Sequence, residues 1–274
     1  MLIDTHCHLD AREFNADRAA VIERAGGKGV GGIVIPAVAR FNFAVVRELA
    51  HSFKGGHYAL GIHPICVPDS QDADLVELES QIQQSIDDPR FVAIGEIGLD
   101  FFIPALKQPE MREKQEAFYI AQLDLAQRYG LPVLLHVRRS QDILLKHLRR
   151  RPQIGGIAHA FNGSFQQAEQ FIERGFALGF GGAMTFTRAL QIRRLAAQLP
   201  VASLVLETDA PDIPPAWLGE PAGPAVRNEP AEVTGIAQVL AELRNMALED
   251  IIHASTENAR RVLPRLAGAP ANRS

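Results

Sequence analysis

The feature that most constrains the fold of this chain is a regular alternation of short apolar runs with longer amphipathic stretches. Short apolar runs bounded by turn residues predict buried strands, and the longer stretches predict helices with one apolar face. Strands and helices that alternate with short connections are typical of parallel βα units. The predicted strands are Leu2–His8, Gly32–Pro36, Tyr58–Ile62, Phe91–Glu96, Pro132–His136, Gly156–His159, Ala177–Phe180 and Leu204–Glu207.

About eight βα units in a chain of 274 residues favour a TIM-type (β/α)8 barrel, a fold that typically takes ~250 residues as one domain. An open, doubly wound parallel sheet is the alternative, because periodicity does not reveal whether a sheet closes. We expect one domain over residues 1–266 and a disordered tail over 267–274. The predicted helices are Asp17–Ala25, Phe43–Phe53, Leu75–Ile86, Pro109–Tyr129, Gln141–Arg150, Phe165–Arg174, Arg188–Leu199, Pro230–Arg244 and Leu248–Arg261.

Composition narrows the functional classes. The formal net charge of -4 argues against a broad basic surface, so any contact with nucleic acid must be local. No apolar run approaches the ~20 residues that span a bilayer, and we expect neither a membrane partner nor a signal peptide. The only cysteines are Cys7 and Cys66, which suits a reducing compartment and predicts a cytoplasmic protein. No feature of the sequence predicts an oligomeric state.

Polar side chains that can bind metal stand where five of the apolar runs stop. Any one of them alone is more simply a hydrogen-bonded polar residue at a strand end. However, all strand C-termini of a parallel barrel open on the face that carries active sites, so we expect these side chains to converge. They are His6 and His8 after the first run, Glu96, His136 and His159 at the ends of the fourth, fifth and sixth, and Asp209 after the eighth.

The chemistry of this set indicates a metal centre. Imidazole and carboxylate together suit Zn, Mn, Fe or Co better than Mg or Ca, which favour an all-oxygen shell. Six ligands are more than one tetrahedral zinc uses, whereas two ions that share a bridging carboxylate would use them all. Glu96 is the natural bridge. We therefore predict two divalent ions per chain, with Zn, Mn and Mg left open as their identity.

The motifs around these residues resemble the TatD family of metal-dependent hydrolases, and they follow the family's order over nearly the whole chain. Two short departures from common family motifs, Ile65 in His-Pro-Ile and Ala160-Phe161-Asn162, bear on substrate preference and touch none of the six residues. The matching motifs are Asp-Thr-His-Cys-His at 4–8, Gly-Ile-His-Pro at 61–64, Gly-Glu-Ile-Gly-Leu-Asp at 95–100, His-Val-Arg at 136–138, His-Ala-Phe-Asn-Gly-Ser at 159–164, Glu-Thr-Asp-Ala-Pro at 207–211 and Arg-Asn-Glu-Pro at 227–230.

The resemblance implies a barrel fold, divalent metal and metal-dependent deoxyribonuclease activity, of the 3′-exonuclease type or a related phosphodiester cleavage. It also implies a division of the ligands between two ions. His6, His8 and Asp209 would hold one ion, His136 and His159 the other, and Glu96 would be shared.

Further residues near the predicted mouth of the barrel have two interpretations each. His63 is either a substrate contact or a structural hydrogen-bonding group. Arg138 shares a strand face with His136, so it can bind phosphate bidentately or form a salt bridge at the rim. Glu207 can orient a ligand or pair with Arg227. The loop aromatics Phe101, Phe102 and Trp217 can stack on a base or anchor their loops.

The predicted reaction is hydrolysis of a phosphodiester by a water activated between two metals, with DNA as the substrate, as a single strand or at strand ends. Asp209 and Glu96 are the predicted catalytic residues, with Asp209 as the general base. The first alternative is an amidohydrolase that attacks an amide or ester carbon, because the same centre can polarise a carbonyl. The second is a metal-storing or scaffold protein without activity.

Overall fold

Eight parallel strands form the centre of the molecule. The computed structural model describes residues 1–219 and 226–268. Within them, each strand pairs in parallel with the next one along the chain, in the order β1 to β8. The strands are β1 Leu2–Asp4, β2 Val30–Pro36, β3 Gly56–Leu60, β4 Phe91–Asp100, β5 Val133–Arg138, β6 Gly156–His159, β7 Phe176–Phe180 and β8 Leu204–Leu206.

The first and last strands meet, which closes the sheet into a nearly complete barrel. The Thr5 amide donates to the Leu206 carbonyl at 3.1 Å, and the Asp209 amide donates to the His6 carbonyl at 2.8 Å. One residue pair further on, the His8 amide donates to the Ala210 carbonyl at 2.8 Å. The predicted barrel is confirmed, and the open doubly wound sheet is excluded.

The nine α-helices of the described residues match the nine predicted segments to within a few residues at each end. The helix between β4 and β5 has the predicted bounds, and it ends at Gly130, whose φ of 61° gives the left-handed conformation of a helix C-cap. The helices are α1 Arg18–Gly27, α2 Phe43–His51, α3 Asp72–Ser85, α4 Pro109–Tyr129, α5 Gln141–Leu148, α6 Phe165–Glu173, α7 Leu190–Gln198, α8 Val233–Arg244 and α9 Leu248–Val262.

Six strands match their predicted bounds to within two residues at each end, whereas β1 and β4 each end four residues away from the predicted end, and both differences concern the candidate site. β1 ends at Asp4 and not at His8, because the Asp4 carboxylate accepts from the His6 amide and interrupts the regular ladder. β4 continues past Glu96 to Asp100, paired with β5 over its last four residues. The longer β4 therefore carries an additional carboxylate to the same end of the barrel.

The barrel interior is apolar below the polar end. Small and branched side chains from successive strands fill it, as is usual for this fold. The chain after α9 covers the N-terminal end of the barrel, where the buried Arg265 guanidinium donates to the Phe91 carbonyl at 2.8 Å. The interior side chains include Ile3, Val34, Ala59, Val92, Leu134, Ile157, Ala177 and Val205.

None of the helices described, up to residue 219 and over 226–268, is both long enough and apolar enough to cross a membrane. The cytoplasmic location and the single domain over residues 1–266 stay predictions. A 3-10 helix, Pro264–Ala267, follows α9, and the rest of the predicted disordered tail lies, after Gly268, outside the described residues.

Besides the backbone bonds between the first and last strands, a buried set of side-chain hydrogen bonds joins the end of β1 to the end of β8. The fully buried Asp4 carboxylate accepts from the Thr208 hydroxyl at 2.6 Å and from the Thr208 amide at 2.9 Å. The same hydroxyl accepts from the Ala210 amide at 3.2 Å. Burial raises the pKa of Asp4 to about 7, in spite of these donors.

Thr208→Val should therefore destabilise the protein by about 1–3 kcal/mol, because it leaves a buried carboxylate oxygen and a buried amide without partners. Urea unfolding monitored by circular dichroism measures the change. Thr187→Val, on the exposed segment before α7, is the matched control and should change stability by less than about 0.5 kcal/mol. Equal stability of the two variants would contradict this role for Thr208.

Candidate metal centre

The structure brings all six predicted ligands to the C-terminal end of the barrel. His6 and His8 lie on the segment after β1, Glu96 lies within β4, and His136 lies within β5. His159 is the last residue of β6, and Asp209 follows β8. All of them except His6 line an open cleft of about 1190 Å³ at the barrel mouth, and the fully buried His6 lies just beneath it, 2.9 Å from Glu96.

Glu96 lies at the centre of the group and is almost completely buried. Its Oε2 atom is 2.9 Å from His6 Nε2 and 3.4 Å from His8 Nε2. Its Oε1 atom is 2.8 Å from His136 Nδ1 and 3.3 Å from His63 Nε2. The two oxygens of one carboxylate therefore face two separate groups of imidazoles.

Asp209 lies on the β1 side of Glu96. Its Oδ1 atom is 3.8 Å from His6 Nε2, 3.6 Å from His8 Nε2 and 3.4 Å from His159 Nε2. The rings of His6 and His159 stack with centroids 3.6 Å apart. His159 thus lies next to His6 and Asp209, whereas the family resemblance implies a pairing of His159 with His136.

His63 is closer to the centre than its sequence position alone indicates. Its Nε2 atom is 3.0 Å from His136 Nδ1, and the residue is 8% exposed. Among the described residues, three sets bring their donor atoms within 4.8 Å of one another, as a metal site requires. The sets are His6, His8 and Asp209; His6, Glu96 and His159; and His63, Glu96 and His136.

These residues fit divalent metal in chemistry and in spacing. Two donors that are each about 2.1 Å from one ion lie roughly 3.0–3.4 Å apart at octahedral or tetrahedral angles. The separations around Glu96 and Asp209 run from 2.8 to 3.8 Å. Imidazoles crowded this closely repel one another when protonated, whereas neutral imidazoles can share a cation. The groups can therefore hold metal.

The environment keeps the carboxylates ionised. Burial acts to raise the pKa of Glu96, but the surrounding histidines, His63 and His6 foremost, hold it well below its usual range. In the same way, burial is outweighed at Asp209 by His159 and the other imidazoles, which lower its pKa to about 2. Burial lowers the pKa of His63 to about 4, so that His63 is neutral at pH 7 and free to bind a cation.

The Glu207 carboxylate, which is not one of the six predicted ligands, lies beside His159. Glu207, which is 1% exposed, has Oε1 3.1 Å from His159 Nδ1, and the same oxygen accepts from the Ala160 amide at 2.6 Å. Arg227 instead pairs with Asp17 at 2.7 Å and with Glu229 at 2.6 Å. Of the two interpretations of Glu207, the geometry favours the one in which it orients a ligand.

Asp100, which the sequence analysis did not single out, lies beside His136 as Glu207 lies beside His159. Its Oδ2 atom is 3.2 Å from His136 Nε2, and its Oδ1 atom accepts from the Phe102 and Ile103 amides. The alternation of side chains along a strand could have predicted this position, because Asp100 and Glu96 are four residues apart and share a face of β4.

Of the other predicted contacts, Arg138 and Phe102 line the cleft, whereas Phe101 and Trp217 are not among the residues that line it. Arg138 is 48% exposed, its Nη1 atom is 3.6 Å from Asp100 Oδ2, and its guanidinium lies 4.0 Å from the centroid of the Phe102 ring. Phe101 is buried, as an anchoring residue would be, whereas Phe102 is exposed. Trp217 is also exposed, and its indole donates to Glu232 at 2.6 Å.

Comparison with known proteins identifies the family of this chain. The sequence profile of the TatD related DNase family matches residues 3–264, and the chain belongs to that family. It is 41% identical over 259 residues to the uncharacterized metal-dependent hydrolase YjjV of Escherichia coli, covering 93% of this chain and 95% of the relative. It is 31% identical over 271 residues to the human deoxyribonuclease TATDN3, covering 97% and 95%.

A solved structure of a relative has the same fold. The crystal structure of YjjV, described as a TatD homolog, superposes with a TM-score of 0.87 at 39% identity, covering 96% of this chain and 98% of that one. The protein is thus a metal-dependent hydrolase of the TatD family with the predicted barrel fold.

The position of Glu207 predicts an effect on metal affinity. Glu207→Gln keeps the size of the side chain but removes the negative charge beside His159 Nδ1. Because carboxylates behind metal-binding histidines typically change affinity 10–100-fold, we expect a loss of roughly that size in competition with a chromogenic chelator. Glu173→Gln, at the exposed end of α6, is the control for the charge change. Equal metal affinity of the two variants would show that Glu207 does not position His159.

Proposed function

We propose that this protein is a divalent-metal-dependent deoxyribonuclease that trims single-stranded DNA from an end. The observation that carries the proposal is the position of Glu96, whose two carboxylate oxygens face separate groups of imidazoles at the bottom of an open cleft. A related human protein of similar length is named a deoxyribonuclease, which supports the choice of substrate.

The proposed centre holds two divalent ions, with Zn, Mn or Mg as candidates. The proposed ligands are His6, His8, Glu96, His136, His159 and Asp209, and Glu96 is the one shared between the ions. When bound, the metals supply a water of lowered pKa and neutralise charge on the phosphoryl oxygens.

Asp209 is the proposed general base, and Glu96, as the bridging ligand, is the second catalytic residue. Asp209 is ionised at neutral pH and retains 16% exposure toward the cleft, so it can accept a proton from the attacking water. It can then return the proton to the leaving oxygen. Burial acts to lower the pKa of neighbouring His8, but Glu96 and Asp209 outweigh it and raise the pKa to about 9.

The shape and charge of the protein support strand ends over duplex interiors. A net charge of -4 argues against a wide basic surface for a long duplex, so we propose that attraction for phosphate is concentrated at the centre and at Arg138. His63, next to His136, is a second candidate for contact with the scissile phosphate. A flexible single strand enters a walled cleft more easily than a stiff duplex does.

The amidohydrolase alternative uses the same donor set, because a pair of metals polarises a carbonyl as readily as a phosphoryl group. The exposed Arg138 guanidinium at the rim favours a phosphodiester, since it presents a planar fork of donors that matches phosphate oxygens.

An activity panel tests the proposal. The metal-loaded protein is assayed with Mg or Mn on end-labelled single-stranded, duplex and closed circular DNA, and on a generic amide and ester. We expect the linear single strand to be shortened fastest. Asp209→Asn, saturated with metal, should keep the fold but lose hydrolysis by at least about a hundredfold, because a missing general base typically costs 10²–10⁴-fold in rate.

The other outcomes separate the alternatives. Faster cutting of closed circles than of linear strands would overturn trimming from an end. Turnover of the amide or ester without cutting of any DNA would establish the amidohydrolase. Near-wild-type turnover by metal-saturated Asp209→Asn would remove Asp209 as the base.

A further inference from the structure

The two sides of the cleft differ in charge. Asp10, Arg12 and Glu13 line it on the side of β1. The Arg12 guanidinium lies 3.5 Å from the Glu13 carboxylate, which offsets the positive charge of Arg12. Arg138 and Arg139, both exposed, line it at the end of β5. A polyanion that enters the cleft is therefore attracted toward the β5 side.

The two arginines share an aromatic support. Their guanidinium carbons lie 4.0 and 4.8 Å from the centroid of the Phe102 ring, and Phe102 is 42% exposed at the mouth. Guanidinium groups within about 6 Å of a ring are attracted to its face. Phe102 therefore holds the two cations side by side. Arg138 Nη1 also lies 3.6 Å from Asp100 Oδ2, while the rest of its exposed guanidinium and that of Arg139 can face a ligand.

The backbone under this group is firmly held. The Phe101 amide donates to the Arg138 carbonyl at 2.9 Å, and the Ser140 hydroxyl donates to the Leu99 carbonyl at 2.6 Å. These bonds join the end of β4 to the end of β5. A site built on strand ends keeps its geometry better than one on a free loop.

Arg139 also has an unusual backbone conformation. Its φ of 58° lies in the left-handed region, where glycine and asparagine are at ease and a long side chain is uncommon. An arginine at such a position suggests a use for its side chain at the cleft.

We propose that Arg139 and Phe102, together with Arg138, form a subsite for the backbone phosphate of the nucleotide next to the scissile bond. This subsite rests on the proposed function. Arg138 and His136 face the same way two residues apart along β5, so the subsite lies roughly 7 Å along the strand from the metal centre. The DNA strand would run along the β4–β5 side, away from Asp10 and Glu13.

The test compares substrates of different reach. Arg139→Asn removes the cation but tolerates a positive φ, so the fold should persist. With metal-loaded protein, we expect kcat/KM for a single-stranded oligonucleotide to fall about tenfold more than kcat/KM for bis-(p-nitrophenyl) phosphate, mainly through KM. Arg150→Asn, on the exposed segment before β6 at the other end of the barrel, is the charge-matched control and should not change that ratio.

Binding gives a readout independent of turnover. The affinity of metal-loaded protein for a nuclease-resistant phosphorothioate strand should depend less steeply on salt in Arg139→Asn, with a log-log slope lower by about 0.7 per lost phosphate contact. Phe102→Leu, which keeps apolar volume but removes the aromatic face, should show part of the same loss.

Three results would count against these inferences, and they are distinguishable. Wild-type affinity, salt slope and substrate ratio in both Arg139→Asn and Phe102→Leu would overturn the subsite while leaving the nuclease proposal intact. An equal loss in Arg150→Asn would show that only overall charge matters, which also overturns the subsite. A wild-type protein that cleaves neither the oligonucleotide nor the diester would refute the proposed function itself.

Discussion

The structure is organised around a buried carboxylate that must not lose its charge. Removing an isolated carboxylate from water costs several kcal/mol unless partners compensate. Glu96 is 1% exposed, yet its pKa is held low because imidazoles approach both of its oxygens. The four imidazoles come from three parts of the barrel, after β1, after β3 and within β5, so the charge of Glu96 is maintained only when the barrel is closed and in register.

The residues that close the barrel thus also determine the geometry of the site. The buried Asp4 and Thr208 join β1 to β8 between the strand ends that carry His6 and Asp209. Glu207 and Asp100 adjoin His159 and His136 from behind. A residue with a positive φ angle follows each of β5, β6 and β8, and these residues are Arg139, Ala160 and Asp209. Each such backbone conformation costs about 1–3 kcal/mol. A rigid barrel beneath the mouth can offset that strain and keep the imidazoles and carboxylates of the site in place.

Much of this was predictable from sequence because the barrel converts position along a strand into position in space. Alternating apolar runs predicted all eight strands, and polar residues where runs stop predicted that His6, Glu96 and Asp209 would meet. What the sequence did not reveal depends on register and backbone direction. The extension of β4, the contact of Asp100 with His136 and the approach of His63 to Glu96 each follow from how neighbouring strands are staggered. A one-dimensional pattern does not contain that stagger.

Metal content per chain tests most directly whether the protein holds the proposed two ions with Glu96 shared between them. Purified protein would be stripped with chelator, reconstituted with Zn or Mn, freed of excess metal and measured by elemental analysis. We predict about two ions per chain in the wild type and about one in the double variant His6→Ala with His8→Ala, which removes two donors from one side of Glu96. Absence of bound metal in the reconstituted wild-type protein would contradict the account.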